Sequence, residues 1–289
     1  MDFIRTTSME HTLSVLEAYG SAATLLAGGT DVFAQLPRGE LTPGVLVHIM
    51  PVPGLSSVVL EGGAISIGAL ASHRRIAVDG ALGGFGSLRQ AAAQIGGWQT
   101  QAVGTIGGNV CNASPAADLL PPLLIHDARV ALVSASRGER SLPVSDFVKG
   151  RHATAREADE LVTSFLLEPP GTHTADIYLK VGRRSAMEVA ILGLALRLTL
   201  DDRGRVAQAR VATCAASPCP MRITAVEEIL QGEELSADLI AEAGQSLRSS
   251  LSPIDDVRGS AAYRLAVAPR LLARAIEQTK VQIMLANSG

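Results

Sequence analysis

Residues 105–121 read TIGGNVCNASPAADLLP: a hydroxyl residue, two glycines, an asparagine, and an acid nine positions past Asn109, just before an apolar stretch. A second glycine pair, Ala27-Gly28-Gly29-Thr30-Asp31, closes the short apolar run 22–27. Each pair reads as a turn or strand end with a hydroxyl residue beside it. Glycine permits positive φ and carries no Cβ to hold an anion away, so successive N–H groups there can converge on phosphate oxygens. No Lys-Ser/Thr follows either pair, which excludes a triphosphate loop. Two such bends suit a diphosphate gripped from both sides, as a dinucleotide offers, although paired glycines also serve turns that bind nothing. Asp118 reads two ways: as an acceptor for ribose hydroxyls, or as the N-cap of a helix beginning near Leu119.

Working outward, the first segment alternates strand and helix. A strand at Phe3-Ile4 precedes a helix over 9–19, where Leu13, Leu16 and Tyr19 recur at helical spacing and Gly20 supplies the stop. Strands follow at 22–27 and 45–47, and Pro51, Pro53 and Gly54 mark a boundary between two lobes. The second lobe opens with strands at 57–60 and 64–68 around a Gly62-Gly63 turn. Helical patterns run over 72–78 and 88–95, a glycine-dense turn over 104–109, and later strands over 129–134 and 161–167. Pro169-Pro170-Gly171 is the clearest linker. Beyond it, Leu194, Leu196, Leu198 and Leu200 alternate with Ala195, Arg197 and Thr199, the pattern of a half-buried strand, and Asp201–Gly204 turns it into a partner at 206–213. The remainder is helical at 223–230, 237–247 and 261–279, with Pro269 expected to bend or break the last helix. This is an α+β chain of two domains.

The 289 residues are 47% hydrophobic and 18% charged, enough apolar matter for packed cores, yet only 3% aromatic, so Ala, Val, Leu and Ile must build them. A net charge of −3 with so few rings to stack on bases argues against nucleic acid. No apolar run approaches the ~20 residues of a membrane span; the longest candidate, 189–200, is interrupted by Arg197. The opening MDFIR has no signal core, and the expectation is a cytoplasmic protein. Three cysteines, Cys111, Cys214 and Cys219, form no C-x-x-C pair and fall short of a four-cysteine cluster, and the six histidines are scattered, so no metal centre is expected. Cys214 and Cys219 flank the Ser217-Pro218 turn, where reduced thiols suit a cytosolic chain better than a disulfide.

The motifs AGGTD at 27–31, TIGGNVCNASPAADLLP at 105–121 and KVGRRSAMEVAI at 180–191 resemble the FAD-binding medium subunits of the molybdenum hydroxylases, the xanthine dehydrogenase and carbon monoxide dehydrogenase family. PIDDVRGSAAYR at 253–264 resembles the family's C-terminal domain, and the order and spacing agree from about residue 2 to 275. The resemblance implies a two-lobed FAD-binding domain of the PCMH, or vanillyl-alcohol-oxidase, type over 1–172, with lobes of about 1–52 and 53–172. A smaller α+β domain of the carbon monoxide dehydrogenase flavoprotein type would occupy 173–289. It implies that Leu25, Leu26, Ala27, Gly28, Gly29, Thr30, Asp31 and Val32 line one side of the FAD diphosphate and Thr105, Gly107, Gly108 and Asn109 the other. It assigns Asp118 to the adenosine ribose, Val162 to a backbone contact, and Lys180 to the isoalloxazine ring. Ile95 stands where some relatives have an aromatic residue at the flavin. Thr30-Asp31 replaces the pair typical of carbon monoxide dehydrogenases, which leans towards aromatic, N-heterocyclic, purine or aldehyde substrates.

FAD would be non-covalent, since nothing singles out a histidine or cysteine for attachment. Molybdopterin and [2Fe–2S] clusters would reside in a large and a small partner subunit, with electrons leaving through FAD to NAD, a quinone or another acceptor. The implied assembly is a heterotrimer. Two other readings remain open: a self-sufficient FAD-dependent oxidoreductase, and a flavin-free scaffold subunit. Arg183, Arg184, Met187 and Glu188 lie in the flavin-facing segment of the family without a role readable from type. Trp98 reads as core or interface, and His73-Arg74-Arg75 as the start of a helix.

Overall fold

The computed structural model describes residues 1–184 and 187–286. Ser185 and Ala186 of the 180–191 motif, and residues 287–289 at the end of the 173–289 segment, lie outside the described residues. The first lobe is a three-stranded parallel sheet. Strand β1 (Asp2–Arg5) leads to α1 (Met9–Tyr19), then β2 (Ala23–Leu26), the short α2 (Val32–Gln35) and β3 (Val45–His48), which pairs with both β1 and β2. Helix α1 begins where Ser8 Oγ accepts from the His11 amide and ends at Gly20, whose φ of 49° few other residues adopt cheaply. Its Leu13, Val15 and Leu16 pack on Val45 and Val47.

The second lobe is a five-stranded antiparallel sheet ordered β4-β5-β10-β6-β7. Strands β4 (Val58–Glu61) and β5 (Ala64–Gly68) form a hairpin. Five helices follow: α3 (His73–Val78), α4 (Gly86–Ala93), α5 (Trp98–Val103), α6 (Ile106–Asn112) and α7 (Leu120–Ile125). Strands β6 (Arg129–Ser134) and β7 (Gly138–Pro143), helix α8 (Val144–Phe147), the small pair β8 (Val148–Gly150) and β9 (Ala153–Thr154), and β10 (Leu161–Leu167) complete it. Of the chain's five phenylalanines, Phe85, Phe147 and Phe165 are fully buried here. The sparse aromatic content is therefore concentrated where each ring is worth about 3–5 kcal/mol against truncation to alanine.

The C-terminal segment is an antiparallel sheet, β11 (Thr174–Val181), β12 (Leu192–Leu200), β13 (Val206–Cys214) and β14 (Met221–Arg222), carrying α9 (Thr224–Leu230), α10 (Ala237–Ser250) and α11 (Ala261–Ala286). Two expectations change here. Strand β12 keeps the half-buried alternation only over 196–200, with Arg197 and Thr199 partly exposed; Leu194, Leu196 and Leu198 join the core with the three helices, while Ala195 joins Tyr178 and Ala212 in the core of the second lobe. The small alternating residue is alanine because a second layer presses on that face. Pro269 does not break α11, which runs through it; the proline packs against Gly244 of α10, where a Cβ would meet it at 3.0 Å.

Strand β11, not recognised in the sequence, joins the segment to the second lobe. Asp176 accepts the Gly86 and Ser87 amides at 2.9 and 3.0 Å, the Ser87 hydroxyl, and a 2.7 Å contact with His126 Nε2. Two residues on, the Tyr178 amide donates to Gln90 Oε1 at 2.8 Å, and two further, Lys180 Nζ donates to the Gln94 carbonyl at 2.9 Å.

The 253–264 motif acts as a clasp before α11. Asp256 accepts from the Arg258 amide at 2.8 Å, from Arg258 Nε at 3.0 Å and from Arg264 Nη2 at 2.6 Å, and buried Arg264 also donates to the Ala215 carbonyl. Burial opposes ionisation of Asp256, but the Arg258 amide and the two guanidiniums outweigh it and hold its pKa down at about 2. A carboxylate depressed in the folded state contributes stability that is complete above its unfolded pKa and lost as pH falls through the folded value. Asp256→Asn is expected to unfold at lower temperature at pH 7 and to lose less of its remaining stability than the parent between about pH 4 and 2, as read by thermal melts across that range.

Candidate functional site

A cleft of about 320 Å³ opens between the two lobes. Leu25 and all of residues 27–32 form one wall; Thr105, Gly107, Gly108 and Asn109 form the other; Val162 lies at its base, beside the β-bulge between Val162 and Ser164. Leu26 points into protein instead, and Asp118 and Lys180 lie outside the cleft lining.

The first wall is a loop with its donors free. Among the described residues, the amides of Gly28, Gly29, Thr30 and Asp31 meet no acceptor. The two glycines have separate reasons. Gly29 adopts φ +74°, and Gly28 lies so close to the opposite lobe that a Cβ would sit 1.8 Å from the Val103 carbonyl oxygen. Burial raises the pKa of the Asp31 carboxyl, partly offset by His152.

The second wall differs from the expected turn. Residues 106–112 are helical, capped by Thr105, whose Oγ1 accepts from the Gly108 amide at 3.1 Å. Its amides are already spent. Ile106 donates to the Ala71 carbonyl at 3.0 Å, Gly107 to Ala69 at 2.8 Å and Asn109 to Thr105 at 3.0 Å, while the His73 amide donates to Gly104 at 3.0 Å. These bonds lace 69–73 to 104–107 and fix the wall, so the two bends are not equivalent amide cradles. Gly107 serves this packing, since a Cβ would lie 2.7 Å from the Ala69 oxygen. Gly108 is exposed, and a Cβ there would meet only Thr105 Oγ1, at 3.1 Å. Asn109 Oδ1 is buried without a hydrogen-bond partner.

Asp118 is not a helix cap; α7 is preceded by Leu119 and has no side-chain cap. Both carboxylate oxygens are engaged inside the protein, Oδ1 by the Tyr178 hydroxyl at 2.5 Å and Oδ2 by Lys180 Nζ at 2.9 Å. Burial raises the Asp118 pKa against the lowering influence of Lys180 and Tyr178, and the adjacent Cys214 thiol is pushed up to about 12, chiefly by burial. The resemblance placed Asp118 at the ribose and Lys180 at the flavin ring, opposite ends of a dinucleotide. The two side chains stand 2.9 Å apart.

Several lining residues carried no motif. Gln35 Nε2 donates to Asn112 Oδ1 at 3.0 Å across the cleft end, and His152, behind the lining, contacts the Asn112 carbonyl at 2.8 Å. Arg156 and His73 complete the lining, brought in by tertiary folding from positions with no local signal. Trp98 is 76% exposed with the Arg74 guanidinium 5.1 Å from its ring centre, so it is not core. Arg183 donates to the Val257 and Arg258 carbonyls, tethering its loop to the segment before α11. Ile95 packs in the core of the second lobe. Cys111, Cys214 and Cys219 are free thiols.

Residues 1–167 match the family described as the FAD binding domain in molybdopterin dehydrogenase. The chain belongs to this family. Residues 177–279 match the CO dehydrogenase flavoprotein C-terminal domain. Similar proteins include the xanthine dehydrogenase FAD-binding subunit of Escherichia coli O157:H7, 32% identical over 84% of each chain, and the 6-hydroxypseudooxynicotine dehydrogenase complex subunit alpha of Paenarthrobacter nicotinovorans, 31% identical over 96% of this chain and 95% of that one. Among solved structures, carbon monoxide dehydrogenase from Hydrogenophaga pseudoflava superposes with a TM-score of 0.92 at 25% identity, covering 96% of both chains. The molecule is thus an FAD-binding medium subunit of the molybdenum hydroxylases, and among the described residues no helix is long and apolar enough to cross a membrane.

The cleft suits that cofactor. A diphosphate is rich in acceptors, and the 28–31 loop presents four amides without any. Gly108 leaves open the volume that a side chain would fill, and the orphaned Asn109 oxygen awaits a donor of the kind a nucleotide hydroxyl supplies. Structural and cleft-facing glycines should separate by stability. Gly28→Ala and Gly107→Ala are expected to lower stability by at least about 2 kcal/mol, since backbone must move to admit the methyl. Gly108→Ala should change it by less than about 1 kcal/mol in a chemical-denaturation series.

Proposed function

We propose that this subunit holds FAD through the 28–31 amides and the Thr105, Gly108 and Asn109 wall. There the cofactor receives electrons from [2Fe–2S] clusters of a small partner subunit, fed by a molybdopterin-bearing large subunit, and releases them to an external acceptor such as NAD or a quinone. The observation that carries this reading is the row of four unpaired amides in a cleft whose other wall is open at Gly108. An amide buried beneath a ligand without an acceptor would cost about 1–3 kcal/mol, so the loop favours an acceptor-rich anion. Thr105 adds a hydroxyl whose proton has no acceptor among the described residues.

Lys180 and Asp118 act together at the isoalloxazine end rather than at the ribose. Two of the three ammonium donors of Lys180 are committed, to Gln94 and Asp118, leaving one for a ligand. Tyr178 keeps Asp118 oriented, and the buried carboxylate keeps Lys180 in place. A cation there would favour negative charge on the reduced ring. The domain division near residue 172 follows the Pro169-Pro170-Gly171 turn, and the assembly works as a heterotrimer in the cytoplasm. Relatives named as FAD-binding subunits or medium chains of dehydrogenases support the dependence on partners.

The expected outcome is that the purified subunit carries stoichiometric FAD, released intact on denaturation, and that Gly108→Val folds but retains less than about a tenth of it, because the branched side chain takes the diphosphate's place. Equal flavin occupancy in the variant, measured by absorbance after gel filtration, would remove Gly108 from the cofactor site.

A further inference from the structure

His73 is the first residue of α3 and lines the cleft beside Gly104 and Thr105. The residue is 3% exposed, yet neither ring nitrogen is bonded. Nδ1 is enclosed with no hydrogen-bond partner, and Nε2 contacts no polar group among the described residues. A histidine serving only the core would be expected to satisfy at least one nitrogen, because an enclosed polar group left unpaired is costly. Burial pushes its pKa down to about 4, so the ring is neutral near pH 7 and carries one proton. An enclosed N–H without an acceptor is rarer than an enclosed lone pair without a donor. The proton therefore belongs on Nε2, with Nδ1 bare.

The backbone is arranged to admit this ring. A Cβ on Gly104 would lie 2.9 Å from both Cδ2 and Nε2 of His73, so glycine is what allows the imidazole to lie against this wall. On its other side the Val103–Gly104 peptide abuts Gly28, which places the ring one backbone layer from the free amides of 28–31.

We propose that His73 is a further contact of the cofactor: a neutral imidazole that donates from Nε2 to an oxygen of the FAD diphosphate. The inference rests on the flavin reading above and adds a donor on the wall whose amides are already used.

The test uses the full chain stripped of flavin, with FAD affinity read by fluorescence titration and the ring nitrogens by ¹⁵N-histidine NMR. His73→Leu is expected to weaken FAD binding about tenfold or more. His73→Gln, whose side-chain amide can take the place of the Nε2 donor, should recover most of the loss. Both FAD and inorganic pyrophosphate should shift the His73 Nε2 resonance while Nδ1 stays unprotonated. Parental affinity in His73→Leu, a proton found on Nδ1, or a resonance that pyrophosphate leaves unmoved would overturn the proposal while the flavin reading stands. Failure of the parent chain to bind FAD would overturn both. Should the leucine variant not fold, the glutamine variant and the NMR data on the parent decide.

Discussion

The two lobes meet backbone against backbone, and the cleft exists because they can. At Gly28 the approach is so close that even a methyl group would overlap the Val103 carbonyl, and within the second lobe Gly107 stands nearly as close to Ala69. Side-chain contacts tolerate substitution by repacking, but a contact between main chains leaves nothing to repack. Gly28 sets how closely the first wall approaches the second lobe, and Gly107 how closely α6 lies on the 69–73 segment behind the other wall. Gly29, at positive φ, gives the loop the turn at which its amides are left without protein acceptors.

An accounting of backbone donors then explains why the walls differ. Every buried N–H needs an acceptor, from protein, water or ligand. On the wall formed by 104–109 the Ile106 and Gly107 amides lace α6 to the 69–73 segment and the Gly104, Gly108 and Asn109 amides bond to Thr100 and Thr105, which fixes that wall and leaves it mainly shape and side chains to offer. The 28–31 loop is tied to α2 only through the Gly29 and Asp31 carbonyls and keeps its amide donors. The cleft therefore combines a fixed template with a donor-rich clamp. His73 and Asn109 are the buried polar groups through which the template regains hydrogen-bonding capacity. Each sits where glycine has removed the obstacle beside it or a helix start exposes it.

Much of this was legible in the sequence. The alternation of β1, α1, β2 and β3, the β4–β5 hairpin and the β12–β13 pair followed from apolar period and glycine punctuation, which are local properties. What was missed is non-local. TIGGN looks like a turn because glycine disfavours helices, but Thr105 capping and the pull of Ala69 and Ala71 override that preference over 106–112. Asp118 reads as a cap because it precedes an apolar stretch, yet its partners, Tyr178 and Lys180, stand 60 and 62 residues away. Strand 174–181 was obscured because its polar residues face protein rather than solvent, and β12 looked half-exposed because its small residues also face a packed layer.

That obscured strand is what gives the C-terminal segment its place over the flavin-binding lobes. Residues 176, 178 and 180 recur at the period of a strand, about 6.6–6.8 Å per step. Their partners on or just beyond α4, Gly86 and Ser87, then Gln90, then Gln94, recur at the i, i+4 spacing of a helix, about 6 Å per step. The two repeats are nearly commensurate over these two steps, so an edge strand and a helix can be joined side by side by three successive polar contacts. The contacts of Asp176 and Tyr178 are buried or partly buried, which makes register errors expensive: a one-residue slip would place an alanine, an isoleucine and a leucine where the aspartate, tyrosine and lysine now stand. The position of Lys180 is thereby tied to that of Asp176 two steps earlier, and a lysine from one segment reaches the lobe of another at a fixed distance. A charged group held this way needs no loop closure to find its place, as the proposed role of Lys180 beside the flavin requires.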